Sequence, residues 1–168
     1  QSPEWIFSGS TGYYNLDPNA EYKVTADTSL FCLNINHGLN PQNKSYAYLV
    51  KPGVQSAGDA AKYKIPMKIV SNTEVMQAVY YEKLKLTEVI FYQVGTLVLE
   101  NGNSITVDAP CALLLNEFKK EISIANPRCE SENPATINVS LKLNNITSTI
   151  TFKMPDGVKS GSSQTKKL

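Results

Sequence analysis

The chain has 168 residues, which is enough for one domain or for two small domains that each bury a core. Its 16 basic and 15 acidic side chains leave a formal net charge of +1, so the charge balance predicts neither a nucleic-acid partner nor a membrane partner. Cys32, Cys111 and Cys129 lie far apart without CxxC spacing and with one histidine in the chain, which predicts no zinc site and leaves at least one thiol unpaired.

The composition favours strands and turns over helices. Nine tyrosines, nine prolines and nine glycines accompany many Val, Ile and Thr residues. The first strands are predicted at residues 22–26, 30–35 and 46–50, and a Pro52-Gly53 turn closes the third. The segment HGLNPQNK is therefore a connection between two strands. Residues 53–64 are rich in Gly, Ala, Ser and Asp, which predicts a loop with room for one short helix.

Short strands follow one another beyond this loop. They are predicted at residues 65–69, 75–81, 89–94, 97–99, 105–107, 111–115 and 122–125. Asn101-Gly102 predicts a type I′ hairpin turn, because both central residues of that turn need a positive φ. We place a soft domain boundary near residues 82–87.

The clearest alternation lies near the end of the chain. Apolar residues at 137, 139, 141 and 143 point to one face and polar residues point to the other. Asn144-Asn145 then turns the chain, and residues 146, 148, 150 and 152 continue the inward face. Residues 159–168 contain Gly, Ser, Gln and Lys and are predicted to form a frayed tail. The fold class predicted from these patterns is all-β.

His37 is the one candidate base for a Ser or Cys triad, but the sequence has no GxSxG elbow that would present a serine. A GxGxxG phosphate loop is also missing. The acidic residues fall on scattered strands and turns, so they define no carboxylate pair for glycoside hydrolysis. For His37 we favour a ring that hydrogen-bonds to the loop backbone, with a site residue as the alternative.

Aromatic and basic side chains are the remaining candidates, because sugar rings stack on exposed aromatic faces. The aromatic candidates are Trp5, Tyr13, Tyr14, Tyr22, Tyr80, Tyr81 and Tyr92. The alternative is that such tyrosines lie in the core with the hydroxyl at its edge. Lys62, Lys64 and Lys68 are candidates for contact with an acidic polysaccharide, and ordinary surface lysines are the more common case.

Four segments carry a resemblance to a known family. The segment HGLNPQNKSYAYLVKPG resembles a stretch of the central β-domain of polysaccharide lyase family eight, and IVSNTEVMQAV is similar to the stretch that follows it there. ITVDAPCALLL and ISIANP resemble the small C-terminal β-domain of the same family. The order and spacing of the segments also agree, and the resemblance runs over most of residues 22–143.

The resemblance implies an architecture. Family members have an N-terminal α/α toroid, a large antiparallel β super-sandwich and a smaller C-terminal sandwich. On this basis the chain is the end of the super-sandwich (residues 1–84), followed by the small C-terminal β-sandwich (85–155) and a flexible tail (156–168). An excised sheet would have unpaired edges, so the N-terminal catalytic part of the same protein is an expected partner.

The resemblance also implies a function. Chondroitin, hyaluronate and xanthan lyases cleave acidic polysaccharides by β-elimination at a uronic acid, and they are usually secreted or periplasmic bacterial enzymes. Their catalytic groups come mainly from the toroid, so no catalytic residue is carried over and His37 is interpreted as scaffold. The chain alone is expected to be inactive, without a cofactor of its own. A calcium requirement of the parent enzyme stays open.

We predict that carbohydrate contacts, if the chain makes them, involve Trp5, Tyr14, His37 and Asn40. The alternative function is a stand-alone carbohydrate-binding module or a bacterial surface adhesion sandwich. Retention on an immobilised glycosaminoglycan that weakens on replacement of Trp5 or Tyr14 would favour the binding module. Further β-modules in the neighbouring coding sequence would favour the adhesion sandwich.

Overall fold

The computed structural model describes residues 3–26, 30–126 and 136–168, and almost all regular structure in these ranges is antiparallel β. The chain divides into two compact units, Gln1–Lys64 and Ile65–Leu168. No helix in the described ranges has the length and apolar character needed to cross a bilayer. Cys129 lies outside the described residues, whereas Cys32 and Cys111 are free thiols.

The first unit contains two small sheets and a short helix. Its elements are β1 Trp5–Ser8, β2 Thr11–Asn15, β3 Glu21–Ala26, β4 Phe31–Asn36, β5 Tyr48–Pro52 and α1 Ala57–Lys62. Within the described part of this unit, β1, β2 and β5 form one sheet in the order β1-β2-β5, and β3 pairs with β4. Helix α1 begins after Ser56, whose Oγ accepts a hydrogen bond from the backbone N–H of Asp59 at 3.1 Å.

The second unit contains the longer sheets. Its strands are β6 Met67–Asn72, β7 Met76–Tyr81, β8 Leu86–Phe91, β9 Gly95–Val98, β10 Ser104–Val107, β11 Cys111–Asn116, β12 Glu121–Ala125, β13 Thr136–Leu143, β14 Ile146–Lys153 and β15 Gln164–Lys167. In the described residues they form a six-stranded sheet in the order β15-β12-β11-β8-β7-β6 and a four-stranded sheet in the order β14-β13-β10-β9.

The core of the second unit is made by the alternating inward positions of these strands. In β11, every second residue from Cys111 to Leu115 is buried, and in β13 the same holds from Ile137 to Leu141. Both sets belong to one apolar cluster that also contains Phe91 from β8. The period of two in the sequence therefore builds a sandwich with a single core, which confirms the all-β prediction.

The predicted domain boundary between residues 84 and 85 differs from the structure, which divides the compact units between Lys64 and Ile65. β6 and β7 precede that predicted boundary, yet they belong to the same sheet as β8 and β11. The connection from β7 to β8 is only a 3-10 turn, Glu82–Leu84, followed by Lys85 with φ 49°. The segment at the predicted boundary is thus a tight turn within one sheet.

The segment predicted as a flexible tail, residues 156–168, contains regular structure. Gly157–Lys159 forms a 3-10 turn, and β15 pairs antiparallel with β12. Every residue of β15 is exposed, so the strand is held by backbone pairing rather than by apolar burial. The hydrophobic pattern did not predict β15, because its sequence, QTKK, has no apolar alternation.

Two hairpin turns were predicted from their sequences, and the structure agrees with one turn type and differs in the other. Asn144 and Asn145 turn β13 into β14 with φ of 51° and 65°, as expected for paired positive-φ positions. The hairpin between β9 and β10 also exists, but it closes through a 3-10 turn, Glu100–Gly102, rather than a two-residue type I′ turn. Residues 146 and 148 were predicted to face inward, but both are exposed, Ile146 at 72 %. Of the four predicted inward positions of β14, Ile150 is half-buried and Phe152 is buried.

Candidate functional site

Three aromatic side chains of the first unit lie next to one another on its surface. The ring centroids of His37 and Tyr46 are 5.8 Å apart, and those of Tyr46 and Tyr48 are 6.2 Å apart. The planes of the two tyrosine rings differ by only 18°, whereas the His37 plane is tilted by 48° from Tyr46. Tyr46 is 52 % exposed and Tyr48 is 50 % exposed. We call these three residues the aromatic row.

The backbone beneath the aromatic row is fixed by hydrogen bonds to Ala47. The carbonyl oxygen of Ala47 accepts from the backbone N–H of Leu16 and from the hydroxyl of Tyr22, both at 2.9 Å. Burial, with Asp17 and Tyr48 nearby, raises the pKa of Tyr22, so its hydroxyl stays protonated and donates. Tyr48 is the first residue of β5, and Ala47 is half-buried between the two exposed tyrosines.

The connection that carries His37 toward the tyrosines is shaped by left-handed positions. Gly38, Asn40 and Asn43 have φ of 77°, 49° and 52°, a region that Gly and Asn adopt most readily. The Oδ1 of Asn36 accepts from the backbone N–H of Gly38 at 3.0 Å, which forms a local turn just before the loop. The GLNPQN sequence therefore folds back so that the His37 ring reaches Tyr46.

The four residues that were predicted to contact carbohydrate differ in their burial. His37 is half-buried beside Tyr46, and Asn40 is exposed in the same connection. Trp5 is half-buried on β1, where its Cα pairs with that of Tyr14 on β2. The side chain of Tyr14 is only 4 % exposed, which argues against the predicted contact between its ring and a sugar.

Tyr14 has a structural role instead. Its hydroxyl donates to the carbonyl oxygen of Ala60 in α1 at 3.0 Å, and its ring lies 5.1 Å from that of Tyr63. Burial, followed by the neighbouring Tyr63, raises the pKa of Tyr14. Tyr14 therefore ties α1 to the three-stranded sheet, as expected for a core tyrosine with its hydroxyl at the edge.

The His37 ring packs against the ring of Tyr46, which gives the imidazole a packing role. In the described ranges, no group of three or more His, Cys, Asp or Glu side chains is arranged to hold a metal ion. The candidate Lys68 lies 3.5 Å from a carboxylate oxygen of Glu100 and 4.0 Å from one of Glu82. Its charge is therefore partly matched within the second unit.

Tyr46 and Tyr48 were not among the aromatic residues singled out in the sequence. Their signal is the Tyr-Ala-Tyr spacing, since residues i and i+2 of an extended segment share one face. That spacing alone does not reveal whether the face is buried or exposed. The proximity of His37 depends on the loop fold and has no sequence signal of its own.

The second unit matches a family model. Residues 68–134 match the polysaccharide lyase family 8 C-terminal beta-sandwich domain. The chain is 31 % identical over 159 residues to chondroitinase-AC of Pedobacter heparinus, a match that covers 83 % of this chain and 23 % of that protein. It is 30 % identical over 98 residues to hyaluronate lyase of Thermasporomyces composti, covering 56 % of this chain and 12 % of that protein.

Solved structures agree with these matches. A structure of chondroitinase AC lyase in enzyme–oligosaccharide complexes superimposes with a TM-score of 0.82 and 25 % identity, covering 98 % of this chain and 27 % of that one. A Paenibacillus xanthan lyase superimposes with a TM-score of 0.64 and 19 % identity, covering 92 % of this chain and 18 % of that one, and supports the fold alone.

The two curated relatives are much longer than this chain, which spans 23 % and 12 % of their lengths. The matched family domain begins at residue 68, within β6, and so agrees with a second unit that includes β6 and β7. The domain match, the identity to a chondroitinase and the shared fold lead to one assignment. The chain carries the C-terminal β-sandwich domain of polysaccharide lyase family 8.

Proposed function

We propose that this chain is the C-terminal β-portion of a secreted or periplasmic bacterial lyase that degrades acidic glycosaminoglycans of the chondroitin sulfate or hyaluronan type. The observation that carries the proposal is the 31 % identity to a chondroitinase over 159 residues. The partner within the protein is the N-terminal catalytic part, and the second partner is the polysaccharide that this part cleaves. Neither nucleic acid nor a membrane is a proposed partner.

The reaction proposed for the whole enzyme is β-elimination at a uronic acid. A base removes the proton from C5, the bond between C4 and the leaving oxygen breaks, and a double bond forms between C4 and C5. The leaving oxygen takes up a proton. Neutralising the neighbouring carboxylate stabilises the carbanion-like transition state, so the reaction needs a carboxylate-binding group and a positioned base.

This chain is proposed to act as scaffold in that reaction. His37 is its single histidine, and the ring of His37 packs against that of Tyr46. A general base has to lie within hydrogen-bond reach of the substrate proton and beside groups that bind the carboxylate. A half-buried imidazole packed against a tyrosine ring fits a structural role better, which supports the absence of a catalytic assignment.

The first test compares the 168-residue chain with the longer protein encoded by its parent reading frame. Both are incubated with chondroitin sulfate and with hyaluronan, and the ultraviolet absorbance of the unsaturated uronate is followed. We expect product from the longer protein and none from the chain alone. Product from the chain alone would refute the scaffold role, and its absence from the longer protein on both polymers would refute the proposed lyase function.

The alternative, a stand-alone carbohydrate-binding or adhesion module, is favoured by one observation, the exposed aromatic row. The two functions differ in what surrounds the chain in its reading frame. A helical toroid encoded upstream of Gln1 supports the lyase, and further β-modules there support the stand-alone module.

A further inference from the structure

We propose that the aromatic row, His37, Tyr46 and Tyr48, is a binding site for pyranose rings of an acidic polysaccharide. The inference rests on the proposed function, because that function supplies the class of polymer. It deepens that function by giving the first unit a polysaccharide contact of its own.

The geometry of the aromatic row suits stacking against sugars. The C–H face of a pyranose packs on an aromatic ring, and about half of each tyrosine is open to solvent. The two rings are stacked, with planes that differ by 18° and centroids 6.2 Å apart, so their exposed parts lie close enough together to contact neighbouring sugar residues of one chain. The tilted His37 ring lies at one end of this surface and can donate or accept a hydrogen bond there.

Polar groups in the same connection provide the rest of a sugar site. Asn40 and Asn43 are exposed, and their amides both donate to and accept from hydroxyl groups. Lys44 is exposed and supplies a positive charge for a uronate carboxylate or a sulfate ester. The nearby carboxylate of Asp17 accepts a hydrogen bond from the Ser45 hydroxyl at 3.0 Å, which engages this acidic group within the chain.

The aromatic row is held in place before any ligand arrives. The Ala47 carbonyl, between the two tyrosines, accepts from Leu16 and Tyr22, and Ser45 donates to Asp17. A preformed site loses little conformational freedom on binding, so weak stacking contacts contribute more of their energy to affinity. An exposed apolar patch can also be a contact for another protein segment. The amides and the ammonium group around this one favour a hydrated, anionic sugar over a protein surface.

The test is a titration of the 168-residue chain with a chondroitin sulfate tetrasaccharide, followed by amide chemical shifts and calorimetry at low salt. Tyr48→Phe keeps the ring and should bind within about twofold of the unaltered chain. Tyr48→Leu keeps apolar bulk without a ring plane and should lose about tenfold in affinity, the scale of one aromatic contact. Tyr46→Leu should show the same loss.

Tyr92→Leu is the matched control, because Tyr92 is 48 % exposed but lies in the second unit. It should leave the affinity unchanged. Circular dichroism and thermal unfolding show whether each variant is folded. Tyr48 lies on the edge strand β5, so if Tyr48→Leu is destabilised, the affinity of Tyr46→Leu provides the test. Lys44→Gln should weaken binding of the sulfated sugar and reduce its salt dependence.

The outcomes separate this inference from the proposed function. Binding that depends on the ring at 46 or 48, with shifts confined to the aromatic row and its loop, supports the inference. Binding that is indifferent to both leucine variants, or no binding of the tetrasaccharide, overturns it. Neither of these two negative results affects the lyase assay of the longer protein, which tests the proposed function alone.

Discussion

At the scale of single residues, Thr87 is a buried polar side chain that lowers the stability of the core. It lies on β8 at 0 % exposure, and its Oγ1 has no hydrogen-bond partner in the described residues. A buried hydroxyl without a partner retains its desolvation penalty, so Thr87→Val should raise the free energy of unfolding by about 1 kcal/mol. Urea unfolding should show a higher midpoint with an unchanged m-value.

The control for this prediction is Thr96→Val. Thr96 lies on β9, where its hydroxyl is hydrogen-bonded to that of Thr106 at 2.9 Å. Thr96→Val removes this hydrogen bond and leaves the Thr106 hydroxyl without that partner, so no gain in stability is expected. A lower urea midpoint for Thr87→Val would contradict the account of Thr87.

Cys111 should be chemically inert in the folded protein. Its side chain is fully buried, and burial, followed by the charge of Asp108, raises the pKa of the thiol to about 12. Because the thiolate is the reactive form, very little of it exists at pH 8. In a Cys32→Ser, Cys129→Ser double variant, labelling by a thiol reagent should be slow in buffer and fast in urea. Rapid labelling in buffer would contradict the burial of Cys111.

At the scale of elements, the C-terminal strand β15 is held to β12 partly by charge. Lys167 Nζ lies 2.7 Å from Glu121 Oε1, and this hydrogen bond lowers the pKa of Glu121 below its ordinary value. A carboxyl group whose pKa is lower in the folded state stabilises the fold above its unfolded pKa. That contribution is lost as the pH falls through the folded pKa.

The prediction is tested with Lys167→Gln. Its urea midpoint should lie below that of the unaltered chain at pH 7, and the difference should shrink as the pH falls through the lowered pKa of Glu121. High salt should also shrink the difference at pH 7, because the pair is solvent-exposed. A difference that stays constant from pH 7 to pH 3 would rule out the ion pair as its cause.

The sequence predicted best those elements whose stability comes from one buried face. The hairpin of β13 and β14 was predicted because apolar residues alternate along β13 and the Asn144-Asn145 turn suits positive φ. β15 was missed because it is polar on both faces, and β1 and β2 were missed because Trp5–Ser8 and Thr11–Asn15 show no simple alternation. Pairing with a distant strand decides such elements, and a local pattern does not record it.

The candidate site was predicted only in part for the same reason. The sequence placed His37 and Asn40 in a strand connection, which the structure confirms. Which tyrosines accompany them depends on burial: Tyr14 is covered by α1 and Tyr63, whereas Tyr46 and Tyr48 remain open. Strand periodicity assigns residues to a face, but only the packed structure shows which face is covered.

At the scale of the whole molecule, the second unit should fold on its own. Its core cluster draws only on residues between 76 and 154, and both of its described sheets are complete within Ile65–Leu168. A fragment of residues 65–168 should therefore unfold cooperatively with heat and give a native near-ultraviolet spectrum. A broad, non-cooperative transition would show that the unit needs the residues before it.

The matched comparison is a fragment of residues 85–168, cut at the boundary that the sequence suggested. This fragment lacks β6 and β7, so it loses Met76 and Ala78 from the core and exposes the edge of β8. It should be less stable than the longer fragment and prone to aggregate through the open edge. Equal stability of the two fragments would favour the boundary at 84/85.

The position of β15 at the end of the six-stranded sheet also governs when that sheet can be finished during synthesis. Glu121 pairs with Lys167 across the sheet, and every other strand of the sheet precedes β15 in the chain. During synthesis on the ribosome, one edge of β12 therefore stays unpaired until Lys167 has left the exit tunnel. Because this edge is covered late, we expect chaperone occupancy of nascent chains to be highest just before β15 emerges.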